Sequence, residues 1–263
     1  MHDTLHVINS FWHGSELTEI SIMCINSFVK NGFTFRLWTY NTSIKVPKGC
    51  EVADASKILK EEYLFKHKEE SWVPFSIWFR FKLLYEKGGA WTDMDIICLR
   101  PFKLKSNSIC GEKDDYSSIN FLSLSKNHLL ALEMSTIWKY PSIKRCYDDE
   151  ERKVIKKRIG VYKPHHQREI IPWKFLGNET LNLIKNYWTF DNIESNKIYP
   201  VKSKDFKSIF DGSLTMDDIK DSNCIHLWNE IIRRVDFDIN DYKENSIYDN
   251  LKKKYLSTFS ELK

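Results

Sequence analysis

The chain has no long apolar run, and that lack bounds it first. No stretch is long enough to span a bilayer. No basic segment leading into an apolar one opens the sequence. The expectation is a soluble, cytoplasmic protein, with peripheral association at the inner face of a membrane left open. None of the six cysteines (Cys24, Cys50, Cys98, Cys110, Cys146, Cys224) forms a C-x-x-C. Zinc is therefore not expected, and the thiols read as reduced and mostly buried. No G-x-G-x-x-G follows the first apolar strand, which disfavours a dinucleotide fold, and there is no G-x-x-x-x-G-K. No repeat or low-complexity linker divides the chain, so one domain over 1–263 is expected. The formal charge of +4 is too small an excess to argue for nucleic acid, and none is expected as partner. It does suit anionic partners such as a nucleoside diphosphate or a lipid headgroup surface.

What is present is a core. Hydrophobic residues make up 42% of the 263 residues, enough to exclude wholesale disorder. Aromatics reach 14%, with nine Trp. Flat rings serve stacking on bases and sugars, and equally they fill cores.

Residues 72–102 carry the strongest pattern. Pro74 suits a first helical position, where a missing N–H costs nothing. Trp78, Phe81, Leu84 and Tyr85 recur at helical spacing. Gly88-Gly89 supplies the C-terminal cap. Asp93-Met94-Asp95 then runs into Ile96-Ile97-Cys98-Leu99, a short buried strand that Pro101 stops. Acids at i and i+2 of an extended segment point to one side. Like charges at the mouth of a buried strand are costly, and a divalent cation reverses that balance. Hard oxygen ligands suit Mg²⁺ or Mn²⁺ shared with substrate phosphates. The plainer alternative is a solvated turn bearing two acids.

Around this segment the chain reads as α/β. Residues 5–9 form a strand ending in a Ser10–Gly14 turn, 17–31 a helix, and 34–40 a second strand, which together make a βαβ unit. Val52–Ala55 is a short segment, and 57–68 a charged helix. Residues 117–125 alternate as a strand, and 128–139 form a helix. Residues 141–174 read as an inserted helical or loop region with a basic cluster at Lys153, Lys156, Lys157 and Arg158. His165-His166 is a weak metal pair without a third ligand. A helix over 178–187, a strand over 198–201 and an amphipathic helix over 245–263 complete the pattern.

The order Phe79-Arg80, Leu83-Leu84-Tyr85, Gly88-Gly89, Trp91, Asp93-x-Asp95 resembles the sugar-nucleotide-binding region of DxD glycosyltransferases. It is most similar to the family-32 type of capsular polysaccharide and lipopolysaccharide synthesis, and large clostridial glucosylating toxins share the core pattern. The resemblance implies a GT-A fold, a Rossmann-like mixed central sheet flanked by helices, with a helical insertion. It implies a nucleotide-sugar-binding half (1–125), an acceptor-side half (126–235) and a C-terminal helical tail (236–263). The implied reaction moves a hexose or N-acetylhexosamine from a nucleotide-sugar donor, UDP-linked by expectation, to a saccharide or lipid-linked saccharide acceptor. The anomeric configuration would be retained.

By the same resemblance Asp95 would ligand Mn²⁺ or Mg²⁺. Asp93 would reach the metal through water or hold ribose and sugar hydroxyls. His226 or Asn229 would complete the coordination, and Trp228 would cover the leaving group. Trp12 would stack on the base, with Tyr40 and Asn41 beside it. Ser76, Arg80 and Asn120 would lie near the diphosphate and sugar. Arg80 could also salt-bridge an acid of the motif. One departure stands out: Ile77 occupies a place where relatives carry Asp or Asn for the donor sugar. It leaves donor choice open and keeps a catalytically silent sugar-nucleotide-binding protein as an alternative. A DxD phosphatase is the other rival. There, however, the motif follows an apolar strand near the N-terminus, whereas here it precedes one.

Overall fold

The computed structural model describes residues 4–67, 71–111, 117–139 and 188–256, together with Lys153 and Leu181. The remaining cluster at Lys156–Arg158, His165-His166, the helix over 178–187 and the last part of the terminal helix lie outside these residues.

The chain opens with β1 (Thr4–Leu5), β2 (Val7–Phe11), α1 (Glu19–Lys30), β3 (Thr34–Thr39) and β4 (Cys50–Asp54). Then follow α2 (Val73–Lys87), β5 (Gly89–Thr92), β6 (Ile96–Cys98), β7 (Leu104–Lys105), β8 (Ser108–Gly111), β9 (Ser117–Leu124) and α3 (Leu129–Lys139). The described C-terminal part adds β10 (Asp191–Ile193), α4 (Ser195–Ile198), β11 (Cys224–His226), α5 (Asn229–Arg234) and α6 (Ile247–Tyr255). Seven strands form one mixed sheet in the order β10-β8-β9-β5-β2-β3-β4. Strands β5, β2, β3 and β4 run parallel, while β9 is antiparallel to β5 and to β8. Two small ladders stand apart, β1–β7 and β6–β11. The mixed α/β expectation therefore matches the architecture.

Strand alternation builds two cores, one on each face of the sheet. Ile8, Phe35 and Leu37 face α1, β6, β11 and α6. Phe11, Trp38 and Trp91 face α2 and α3. The second core is strongly aromatic: Phe11 packs on Phe79 at 4.6 Å and on Phe75 at 5.4 Å between ring centroids. Such pairs contribute about 0.5–1.5 kcal/mol each beyond their burial.

Four expectations need correction. The D-x-D is not extended: it is a turn between β5, an unexpected strand that runs straight into it, and β6, with the Ile96 N–H donating to the Asp93 carbonyl at 3.3 Å. The helix over 57–68 is replaced by two single 3-10 turns, Ala55–Lys57 and Glu61–Tyr63. Tertiary contacts override local propensity there: Ile58, Leu59 and Phe65 are drawn into the aromatic core, and the Tyr40 hydroxyl donates to the Leu59 carbonyl at 2.8 Å. The strand over 198–201 is instead the end of α4 and a turn. Its apolar residues Ile198, Tyr199 and Val201 are buried as anchors rather than as a strand, a confusion that short apolar runs invite. Helix α2 buries far more than one stripe. Phe75, Ile77, Phe79, Arg80 and Leu83 are buried too, because α2 lies between the sheet and α3.

The described cysteines are all free, and Cys24, Cys98, Cys110 and Cys224 are buried. Helix α6 packs rather than floats. Its Ile247, Leu251 and Tyr255 are buried, and the Tyr255 hydroxyl donates to the Cys98 carbonyl at 2.8 Å.

Gly88 joins α2 to β5 at φ +68°, and a Cβ there would lie 2.5 Å from the Lys126 backbone nitrogen. Gly32 has φ +87° with nothing within 4 Å of the same position. Gly32→Ala should therefore cost only the left-handed strain, about 1–2 kcal/mol. Gly88→Ala should cost roughly 2 kcal/mol more, since backbone must move. Urea unfolding of the two variants checks this, and equal losses would contradict it.

Candidate active site

Parallel strands place the site. The chain runs β2, β3, β4 outward, then returns to set β5 on the other side of β2. Ligands bind outside the carboxyl ends of strands at such a reversal. Buried polar side chains tie the reversal together. The Ser10 hydroxyl donates to the Thr92 carbonyl at 2.8 Å. The Asn9 amide donates to the Ala90 carbonyl at 3.0 Å and accepts from the Trp38 indole N–H at 2.9 Å. Asp93 and Asp95 leave the end of β5, Trp12 leaves β2, and Tyr40 and Asn41 leave β3.

Asp93 is held on one oxygen. The Arg80 guanidinium ion-pairs with its Oδ1, and the Trp91 indole N–H donates to the same oxygen at 2.8 Å. Arg80 is 1% exposed. It also donates to the Ile119 carbonyl and lies 4.8 Å from the Trp91 ring centre. Its Nε has no hydrogen-bond partner among the described residues. The guanidinium is thus an internal strut of the motif, the salt-bridge alternative for Arg80. Burial pushes the Asp93 carboxyl above its ordinary range, against the opposing pull of Arg80. Its side chain keeps 25% exposure.

Asp95 is held on both oxygens. Its Oδ1 lies 3.1 Å from His226 Nε2, and its Oδ2 accepts the Asn229 N–H at 2.9 Å. Burial works to raise this carboxyl, but His226 and the Asn229 N–H outweigh it and hold the group below its ordinary value. Both partners arrive through the β6–β11 ladder, where His226 stands opposite Ile96. The Leu227 N–H closes the turn on the Asp95 carbonyl at 2.9 Å.

The donor chemistry fits a small hard cation. Two carboxylates leave one strand end, and Asp93 keeps one oxygen outside its bonds to Arg80 and Trp91. The 3.1 Å spacing of Asp95 and His226 also equals that of neighbouring ligands on one ion, about 3 Å for bonds near 2.1 Å. Among the described residues no three His, Cys, Asp or Glu side chains form a metal cage. Mg²⁺-type sites with one or two carboxylates complete their shell from water and phosphate.

The other expected residues divide into two walls. Trp12 is half-buried on the α1 side, its indole N–H donating to the Glu16 carbonyl at 3.0 Å. Tyr40 lies on the α2 side, packed on Phe11 and Phe75. Asn41 is exposed and accepts the Ser43 N–H. Ser76 is half-buried in the first turn of α2, and Ile77 is part of the aromatic core. The Asn120 carbonyl accepts the Asp93 N–H at 2.9 Å, so this residue touches the motif through its backbone. Trp228 adopts φ +61° and is 7% exposed, with its indole N–H donating to the Val201 carbonyl at 3.0 Å. Its ring sits 4.1 Å from that of His226.

Trp91 was missed as a site residue, although a signal existed. It lies two residues before Asp93, in a segment that β5 makes extended up to Thr92, so its side chain falls on the side of the acid. Tyr199 and Ser118, which also border the site, carry no local signal.

Residues 18–115 match the family model described as the glycosyltransferase sugar-binding region containing the DXD motif. The chain thus carries a glycosyltransferase-like DXD region, over less than half its length. No curated protein matches the chain. Among solved structures it is similar to the PaToxG glycosyltransferase, with 12% identity over 70% of this chain and 71% of that one, TM-score 0.43. It is similar to the ligand-free glycosyltransferase domain of the YGT toxin, with 9% identity over 97% and 89%, TM-score 0.49. It is also similar to the apo-form glycosyltransferase GlyE of Streptococcus pneumoniae TIGR4, with 11% identity over 98% and 65%, TM-score 0.39. At these TM-scores the likenesses say nothing about chemistry.

Removing Arg80 should leave a mostly buried carboxylate without its cation. Arg80→Met is expected to lose about 3 kcal/mol, the low end for a broken buried pair, because Asp93 is partly exposed. Adding Asp93→Asn should restore part of that loss. A double-mutant cycle by urea unfolding checks it, and strict additivity would count against the coupling.

Proposed function

We propose that this chain is a metal-dependent GT-A glycosyltransferase. It moves a hexose or N-acetylhexosamine from a nucleotide diphosphate sugar, UDP-linked by preference, to a saccharide or lipid-linked saccharide in surface polysaccharide synthesis. One observation carries the reading: a D-x-D leaves the carboxyl end of β5 at the strand-order reversal, inside the segment that matches the DXD family model. The physical task is to stabilise a departing nucleoside diphosphate.

Asp95, His226 and the free side of Asp93 would hold Mn²⁺ or Mg²⁺, which when bound neutralises charge on the leaving diphosphate. The protein's own part is orientation. Arg80 and Trp91 fix one oxygen of Asp93 and leave the other outside those bonds. The Asn229 N–H fixes one oxygen of Asp95, while His226 Nε2 lies 3.1 Å from the other, a contact that an ion held by both would replace. Trp12, on the α1 side, and Tyr40, on the α2 side, would serve as walls for a base, with Asn41 next to Tyr40. Arg80 acts through Asp93 rather than on the substrate. Trp228 shields the His226–Asp95 pair from water, which strengthens its electrostatics.

Retention of configuration follows the family resemblance, and no protein nucleophile is assigned. Among the described residues no helix is long and apolar enough to cross a membrane. A cytoplasmic enzyme working at the inner membrane face accords with that and with the +4 charge. A silent sugar-nucleotide binder is the alternative, resting on Ile77 as a buried core residue where a hydroxyl-holding acid would stand.

Hydrolysis of a panel of UDP- and GDP-sugars with Mn²⁺ separates the two. The expected result is metal-dependent turnover that EDTA abolishes and Asp95→Asn lowers about 100-fold or more. Binding without turnover selects the silent protein. Neither binding nor turnover defeats both readings.

A further inference from the structure

Tyr199 is 2% exposed and lies far in sequence from both acids, yet it reaches each of them by a separate route. Its hydroxyl donates to Ser118 Oγ at 2.8 Å, across 81 positions. The same oxygen accepts the Asn120 N–H at 3.2 Å. The Asn120 carbonyl then accepts the Asp93 N–H at 2.9 Å. The other route is through the ring. It packs edge-on against the His226 imidazole at 5.6 Å, and His226 Nε2 lies 3.1 Å from Asp95. Trp228 closes the third side at 5.9 Å.

The backbone around Tyr199 is tied down independently. Its N–H donates to the Ser195 carbonyl at 2.7 Å, and the Lys197 carbonyl accepts the Asn223 N–H at 2.8 Å. The hydroxyl is therefore not needed to hold the segment in place. What it adds is a link from the β11 side of the site to the β9 side.

We infer that Tyr199, with Ser118 as its partner, is a positioning residue that sets Asp93 and Asp95 relative to one another. The inference rests on the glycosyltransferase reading above. Groups behind a metal's direct ligands typically change metal affinity 10–100-fold when removed. Tyr199 acts through one further bond, so the low end applies.

The test uses Tyr199→Phe, which keeps the ring, and Ser118→Ala, which keeps the tyrosine. Mn²⁺ affinity is read from free-ion electron paramagnetic resonance without any sugar nucleotide, alongside kcat for UDP-sugar hydrolysis. Each variant should bind Mn²⁺ about tenfold more weakly, with its thermal midpoint lowered by only a few degrees, since each leaves a buried polar group without that partner. The double variant should be no worse than Ser118→Ala alone, because that change removes the tyrosine's bond and the Asn120 N–H bond together, whereas Tyr199→Phe removes only the first. In the metal-free protein the Asp93 amide resonance should shift in both. Wild-type Mn²⁺ affinity and an unmoved Asp93 amide in both variants would overturn the inference while leaving the enzyme reading intact. A wild type that binds no Mn²⁺ and turns over no sugar nucleotide overturns the enzyme reading, and the inference with it.

Discussion

An ion pair between Arg80 and Asp93 holds the central part of this molecule in one arrangement. Taking a guanidinium out of water costs several kcal/mol even after relaxation. It is tolerated here because the Asp93 carboxylate, the Ile119 carbonyl and the Trp91 face surround it. Those three partners sit on the segment after β5, on β9 and on β5, while Arg80 itself is on α2. One side chain thereby fixes a helix against two antiparallel strands at the point where the motif leaves the sheet. A lysine could not reproduce this, since its ammonium lacks the planar fork that addresses two acceptors at once. The satisfaction is still incomplete, because Nε has no partner among the described residues.

The two acids of the motif live in different fields. Burial raises Asp93 despite its cation, whereas His226 and a backbone N–H hold Asp95 low despite its burial. Carboxylates two residues apart with pKa values pushed in opposite directions are suited to different roles. On the proposed reading, Asp95 is the ready anionic ligand. Asp93, already paired with Arg80 on one oxygen, would offer the other to a further cation.

Much of this was legible in the sequence, for local reasons. Pro74, the apolar spacing of α2 and Gly88-Gly89 are short-range signals, and they mark the helix and its end. The D-x-D is likewise local, and so is its direction into the Ile96–Cys98 strand. Arg80 was visible as a candidate, but its depth was not. Helical spacing identifies one apolar stripe, and the burial of the remaining faces depends on α3 and on the sheet. The segment around residues 57–68 failed for a related reason: a run of charge with a few apolar residues fits a helix until the aromatic core claims Ile58, Leu59 and Phe65. Tyr199 was unreadable, because its significance lies in a hydroxyl contact 81 residues away.

Separation along the chain also governs how the site comes together. Asp93 and Asp95 are placed by β2, β5 and α2, all within the first hundred residues. The groups that hold Asp95 come from Asn229, 134 positions later, and from His226 beside it. They arrive by a three-residue ladder, β11 on β6, outside the main sheet. So short a ladder is weak alone, and it closes a long loop at an entropic cost. Packing must supply the rest. Tyr199 and Trp228 do so beneath His226, while α6 does so through the Tyr255 hydroxyl on the Cys98 carbonyl of β6. The environment of Asp95 is therefore a product of folding between distant parts of the chain, although the acid itself is announced by a three-residue motif.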